Sequence, residues 1–150
     1  MSRLTELLGH ESFAKDIEAL VSTFKNTSRV SKLMDPSLVD CNCEEQTITI
    51  EFPVLECQLN EHDTMHAGFI AAAFDEALGI FAAYLGAEKA TVSINISLNY
   101  LKAIPMNDSI RVTAKVTSLG RKLITMSGEC HLKSNGLLTN TVLATFAIVG

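Results

Sequence analysis

The seven residues from Asn60 to His66, Asn-Glu-His-Asp-Thr-Met-His, form the densest run of polar functional groups in the chain. Ala67 and Gly68 follow at the start of a long apolar stretch. If that stretch is a helix, its first turn presents unpaired N–H groups and about half a positive charge. Small side chains at 67 and 68 let a ligand approach this backbone, so the pair suits a carbonyl oxygen that gains negative charge. Further along, Asp75 and Glu76 stand among Ala, Phe, Ile and Leu. A carboxylate in such surroundings loses hydration, which moves its pKa up from the ordinary carboxylate range of about 4 towards that of a general base. Direct nucleophilic attack is the other chemistry open to it. Adjacent helical residues point about 100° apart, so one acid faces a site while the other meets solvent or a partner, unless both are ion-paired structural groups. His62 and His66 have the i, i+4 spacing of metal ligands with Asp63 nearby, but the loop location and the lack of a further ligand-rich segment argue against zinc.

Spacing adds a constraint. His66 and Asp75 are nine residues apart, which on one helix is about 13 Å. A single reacting carbonyl cannot touch both. If both serve one reaction, the helix start of one subunit must meet the mid-helix carboxylate of another, in a two-fold dimer with two composite sites.

The elements that must position these groups follow from hydrophobic periodicity. Residues 67–87 are apolar on nearly every side, interrupted by Asp75 and Glu76. Their length would suit a membrane span, but two central carboxylates are costly in lipid, and a helix apolar all round also fits the buried centre of a soluble domain. Leu4, Leu7 and Leu8, then Phe13, Ile17, Leu20, Val21 and Phe24, predict an N-terminal amphipathic helix broken or bent at Gly9. The segment 26–42 is polar, with a turn signal at Asp35-Pro36-Ser37, and alternation at Ile48, Ile50 and Phe52 predicts a first long strand ending near Leu59. After the apolar helix the period becomes 2: strands are expected at 91–100, 110–117, 124–132 and 138–148, joined by short turns at 105–108, 119–121 and 134–136. The expected fold is α+β, with a predominantly antiparallel sheet wrapping the long helix. The uncharged Ser, Thr and Asn face of the 91–99 strand points to cover by a second subunit.

At 150 residues, 47% hydrophobic and 19% charged, the chain fits one domain, 1–150, with a core at 46–149 and a helical lead-in at 1–45. A net charge of -5 provides no global basic field for a phosphate backbone, so nucleic acid is not expected as a partner, nor is a membrane. Charges throughout the first twenty residues give no secretory signal, and a cytoplasmic location is expected. The cysteines at 41, 43, 57 and 130 fit neither a zinc site nor a disulfide scaffold and read as free thiols.

These residues resemble the hotdog-fold thioesterases, in particular the PaaI-type branch of acyl-coenzyme A thioesterases. The family pattern of Asn, six residues on His-Gly-Gly, and nine after that His an Asp appears as Asn60, His66-Ala67-Gly68 and Asp75, followed by Glu-Ala-Leu-Gly at 76–79. The match continues through Ala90–Pro105, Asn107-Asp108 and Leu119-Gly120-Arg121, covering about residues 46–149. The resemblance implies a five- to six-stranded sheet around the central helix and a homo-oligomer, either a dimer or a dimer of dimers. It makes Asp75 the nucleophile or general base and the Ala67 N–H the main oxyanion donor. Asn60 and His66 would hold the thioester carbonyl or the attacking water, and Ser93 would help orient that water. Glu76 is the lesser candidate acid. Ala67 replaces the first family glycine, so a positive φ there would be strained by its Cβ.

The implied reaction is hydrolysis of an acyl-CoA thioester to a carboxylic acid and a free thiol, with no cofactor. Lys102, Arg111, Arg121 and Lys122 are the candidates for the nucleotide end. Phe69, Ala72, Ala73 and Phe74 are the candidates for the acyl pocket. Two other functions share such a fold: an acyl-thioester dehydratase or hydratase, against which the Asn60/His66/Asp75 spacing argues, and a non-catalytic acyl-CoA-binding protein, against which Asp75 argues.

Overall fold

The computed structural model describes residues 2–150. Three helices open the chain: α1 (Arg3–Gly9), α2 (Phe13–Thr27) and α3 (Arg29–Met34). Two strands follow, β1 (Ser37–Asn42) and β2 (Thr47–Pro53), then the long helix α4 (Ala67–Leu85), and finally β3 (Ala90–Tyr100), β4 (Ser109–Leu119), β5 (Leu123–Leu132) and β6 (Leu138–Val149). The six strands form one sheet in the order β1-β2-β4-β5-β6-β3, with every neighbouring pair antiparallel.

Alternation decides which face of the sheet is covered. Ile48, Ile50 and Phe52 of β2, Ile110, Val112 and Ala114 of β4, and Ile124, Met126 and Cys130 of β5 are all buried, and α4 lies against that face with Ala73, Phe74, Ala77, Leu78 and Phe81. Gly128 permits the close packing at the centre: a Cβ there would stand 2.8 Å from Val142 Cγ1 and 3.0 Å from the Thr113 carbonyl. Helix α4 is long and apolar enough to cross a membrane, and half of its apolar window is buried within the protein.

The long helix and the last four strands lie where periodicity predicts them. Two expectations need correction. The helix does end at Gly9, but segment 26–42, read only as polar with a turn at Asp35-Pro36-Ser37, contains α3 and β1 on either side of that turn. Helix α3 is held by its ends rather than by a pattern, because Ser28 caps its first turn and Asp35 ends it in the left-handed region at φ 55°. The first long strand stops at Pro53 rather than near Leu59. Proline has no N–H with which to extend the ladder, and a short 3-10 turn at Glu56–Gln58 redirects the chain towards α4.

Helix α2 buries Phe13, Ile17 and Val21. The Phe13 ring lies 5.2 Å from that of Tyr84 and 6.2 Å from that of Phe81 near the end of α4. Tyr84 O–H donates to the Leu7 carbonyl, and Arg3 donates to the Leu85 carbonyl at 3.1 Å. The N-terminal helices therefore cover the C-terminal half of α4 within the same core. All four cysteines are free, and burial pushes the Cys130 thiol up to about 11.

Candidate active site

The tip of α4 is fixed from several directions. Met65 N–H donates to the Ile104 carbonyl at 2.9 Å, and His66 N–H to the Gln58 carbonyl at 2.7 Å. Gln58 is itself buried, with its amide between Leu55 N–H and Met34 Sδ. Tyr100, at the end of β3, donates its O–H to the Ala67 carbonyl at 3.0 Å. His66 caps the helix: its Nδ1 accepts from Gly68 N–H at 2.9 Å. A neutral ring in that arrangement carries its proton on Nε2, leaving a second donor at the tip. A Cβ on Gly68 would meet His66 Nδ1 at 3.2 Å, so this glycine is what lets the ring fold back.

The four N–H groups of the first turn are not equivalent. Gly68 N–H goes to the His66 ring, and the Phe69 and Ile70 N–H groups share the His66 carbonyl at 2.9 and 3.1 Å. Among the described residues, only the Ala67 N–H has no acceptor in this turn. This corrects the expectation that Ala67 and Gly68 act together, because the Gly68 donor is occupied. Ala67 itself lies outside the left-handed region, so its methyl group causes no strain.

Asn60 organises the preceding loop. Its Oδ1 accepts from His62 N–H at 2.9 Å and Thr64 N–H at 3.1 Å, while its Nδ2 donates to Thr64 Oγ1 at 2.9 Å. The side chain expected to hold a carbonyl or water thus also holds its own turn, with one N–H to spare. His62 is exposed beside Glu61, and among the described residues no three His, Cys, Asp or Glu side chains gather as a metal site.

The two acids of α4 differ. Asp75 is exposed and makes no hydrogen bond or ion pair among the described residues, whereas Glu76 is half-buried and accepts from Ser31 Oγ of α3. Burial raises the Glu76 pKa; the Ser31 hydrogen bond opposes this and the neighbouring Asp75 charge adds to it. The desolvation expected at this pair therefore falls, within one protomer, on Glu76 rather than on Asp75. The continuous helix keeps His66 and Asp75 about 13 Å apart along the axis.

Ser93 is exposed on β3, an edge strand with Val92 47% and Ile94 56% accessible. Phe69 is half-buried, with its ring edge-on to His66 at 6.4 Å. Phe74 and Ala73 are fully enclosed between helix and sheet, so they are core rather than pocket wall. The four basic candidates do not converge in one protomer. Lys102 lies near the α4 tip, two residues after Tyr100. Arg121 shares a cleft with Gly86–Lys89 at the other end of α4, with Lys122 beside it. Arg111 points to the sheet face away from α4, where it pairs with Glu51 at 3.1 Å. Sequence reasoning missed Tyr100, Gln58 and Ser31. Tyr100 falls at an apolar position in the alternation of the 91–100 strand, although a tyrosine at a strand end also carries a polar handle.

A long helix laid across one face of a six-stranded antiparallel sheet, with a capped and ligand-accessible tip, is the hotdog arrangement. The profile of the thioesterase superfamily matches residues 62–139, and the chain belongs to that superfamily. Among solved structures it is similar to the Escherichia coli PaaI protein of the phenylacetic acid degradation operon, at 15% identity and a TM-score of 0.79, covering 91% of this chain and 95% of that one. It is similar to mouse thioesterase superfamily member 2 at 21% identity and a TM-score of 0.78, covering 93% and 100%. A Streptococcus mutans protein solved with acetyl-CoA is similar at 18% identity and a TM-score of 0.68, covering 77% and 89%. No curated protein sequence matches significantly.

Proposed function

We propose that the protein hydrolyses acyl-CoA thioesters as a homodimer with two composite sites. In each, the Ala67 N–H of one protomer, with His66 Nε2–H beside it, holds the thioester oxygen as it gains charge. Asp75 of the other protomer either attacks the carbonyl carbon or removes a proton from the attacking water. Attack by Asp75 expels the thiolate and leaves a mixed anhydride that water then opens. Both routes consume one water and yield a carboxylic acid and a thiol.

The observation that carries this proposal is an unpaired N–H at the tip of the same rigid helix whose exposed acid lies about 13 Å away along the axis. Each half has what the other lacks, and only a second copy brings them together. The exposed edge of β3, where Val92 and Ile94 stand beside the uncharged Ser93, Asn95, Ser97 and Asn99, offers the surface for that copy, with Ser93 as the candidate to orient water. Leu143, 65% exposed on the face away from α4, offers a further surface for pairing of dimers. Lys102 near the helix tip is the cation best placed for a coenzyme A phosphate, and the acetyl-CoA held by the Streptococcus mutans neighbour supports that ligand class.

Asp75→Asn is expected to lower thiol release from acyl-CoA by at least about a thousandfold and leave the dimer intact. Mixing it under subunit exchange with Asn60→Ala/His66→Ala is expected to restore activity, because one site per mixed dimer then has both good halves. Verified mixed dimers without recovery would refute the composite site, and full activity in Asp75→Asn alone would refute the role of Asp75.

A further inference from the structure

A cleft of about 730 Å³ opens at the C-terminal end of α4, and Arg3, Lys89 and Arg121 line it together with Glu88. Each cation comes from a different part of the chain, and each has its side chain or its backbone anchored there. Arg3 of α1 donates to the Leu85 carbonyl at 3.1 Å, which offsets the negative end of the helix dipole and leaves further N–H donors on the guanidinium. Lys89 ends the tight turn after α4, where its N–H donates to the Gly86 carbonyl at 3.2 Å. Arg121 occupies the turn between β4 and β5, which is closed by Gly120 N–H on the Leu123 carbonyl at 2.8 Å and tied to β6 by Ile148 N–H on the Lys122 carbonyl at 2.8 Å. Among the described residues, Lys25, Arg111, Lys115 and Lys133 pair with carboxylates, whereas none of the three cleft cations does. Three like charges around one opening, against the single charge of Glu88, repel one another and attract an anion that carries more than one charge.

We propose that this cleft holds the phosphates of coenzyme A, and that it serves the composite site to which its own protomer supplies Asp75. The inference rests on the hydrolase and the dimer proposed above. Strand β3 runs from Ala90, next to Lys89 at the cleft, to Tyr100, whose hydroxyl reaches the α4 tip. It is an edge strand, and two such edges meeting about a two-fold axis run antiparallel, so the Ala90 end of one lies against the Tyr100 end of the other. The cleft of one protomer is thereby brought beside the helix tip of its twin. Cations that stand apart in a single protomer, Lys102 near the tip and Arg121 at the far end of α4, then belong to one site. The lengths agree. Asp75 and Leu85 are about 15 Å apart along α4, and the pantetheine arm between sulfur and diphosphate, as long as four to five extended residues, spans roughly 15 Å. Two of the three cleft cations are arginines, whose planar fork matches phosphate oxygens.

Calorimetry on the full chain compares coenzyme A, pantetheine and inorganic phosphate. The wild type is expected to bind coenzyme A at least about tenfold more tightly than pantetheine, and Lys89→Gln/Arg121→Gln to lose at least about tenfold in affinity for coenzyme A, a loss that Lys89→Arg/Arg121→Lys largely avoids. Equal affinity of the wild type and the glutamine pair for coenzyme A, or inorganic phosphate bound as tightly as coenzyme A, would overturn the proposal. Subunit exchange reads which protomer's cleft is used. In mixed dimers of Asp75→Asn with Asn60→Ala/His66→Ala chains, Arg121→Gln on the chain that keeps Asp75 is expected to raise KM for acyl-CoA about tenfold more than the same change on the Asp75→Asn chain. An equal rise from either chain, or the larger rise from the Asp75→Asn chain, would overturn the placement. Loss of coenzyme A affinity in the glutamine pair, with no turnover of any acyl-CoA by the wild type, would overturn the hydrolase function and leave the phosphate site standing.

Discussion

The first turn of α4 and its middle are nine residues apart and are built on opposite terms. The tip is held by Gln58, Ile104, Tyr100 and the Asn60 loop, all from its own chain. Among the described residues nothing holds the Asp75 side chain, although its neighbour Glu76 is clasped by Ser31. In the proposed site, the protomer thus finishes one half with rigid supports and leaves the other half for the proposed partner copy to complete. Preorganised donors lose nothing to reorganisation when charge develops, whereas in the proposed dimer the exposed acid would acquire its surroundings on assembly.

Damage to the closed half is expected to change turnover without changing assembly. Gly68→Ala puts a methyl group 3.2 Å from His66 Nδ1 and forces the capping ring aside. It is expected to lower kcat about tenfold to a hundredfold and cost about 1 kcal/mol of stability, measured by thiol release and thermal melting. Retention of full kcat would show that the ring is not part of the working tip. Tyr100→Phe removes the hydroxyl that holds the Ala67 carbonyl, and a fall in kcat of about fivefold with little change in KM is expected. A change in KM alone would instead place Tyr100 in substrate binding.

The smallest expected effect lies beside the open half. Glu76 has a raised pKa in the fold, so the stability associated with its protonated form is complete below the ordinary carboxyl pKa and is lost as pH rises through the folded value. Glu76→Gln keeps an acceptor for Ser31 and removes the charge. It is expected to raise Tm by a few degrees at most at pH 7 to 8 and to flatten the fall in Tm above pH 5. A variant whose Tm follows pH as the wild type does would remove Glu76 as the source of that dependence.

Much of this architecture is legible in the sequence, for identifiable reasons. The stretch 67–85 and the strands after it repeat their periods over ten or more residues, so local pattern and tertiary packing agree. Helix α3 has six residues and β1 lies at a sheet edge with much of its surface exposed, so neither carries an apolar stripe long enough to register. The helix tip is also legible, because small residues after a polar loop mark where a backbone is approachable. The division of labour between Asp75 and Glu76 is not, since it depends on where α3 docks. The apolar alternation of β6 runs through Leu138 and Val142 and passes over Asn140, a polar residue that only the structure shows to be enclosed.

Anyone trimming this chain to a minimal crystallisation or screening fragment would be tempted to discard the three opening helices as an appendage. Their removal would bare Phe81 and Tyr84 to solvent and strip Glu76 of its hydroxyl donor one residue from the proposed reactive acid. A shortened protein that stays soluble would therefore be a poor stand-in for the intact one when inhibitors are ranked.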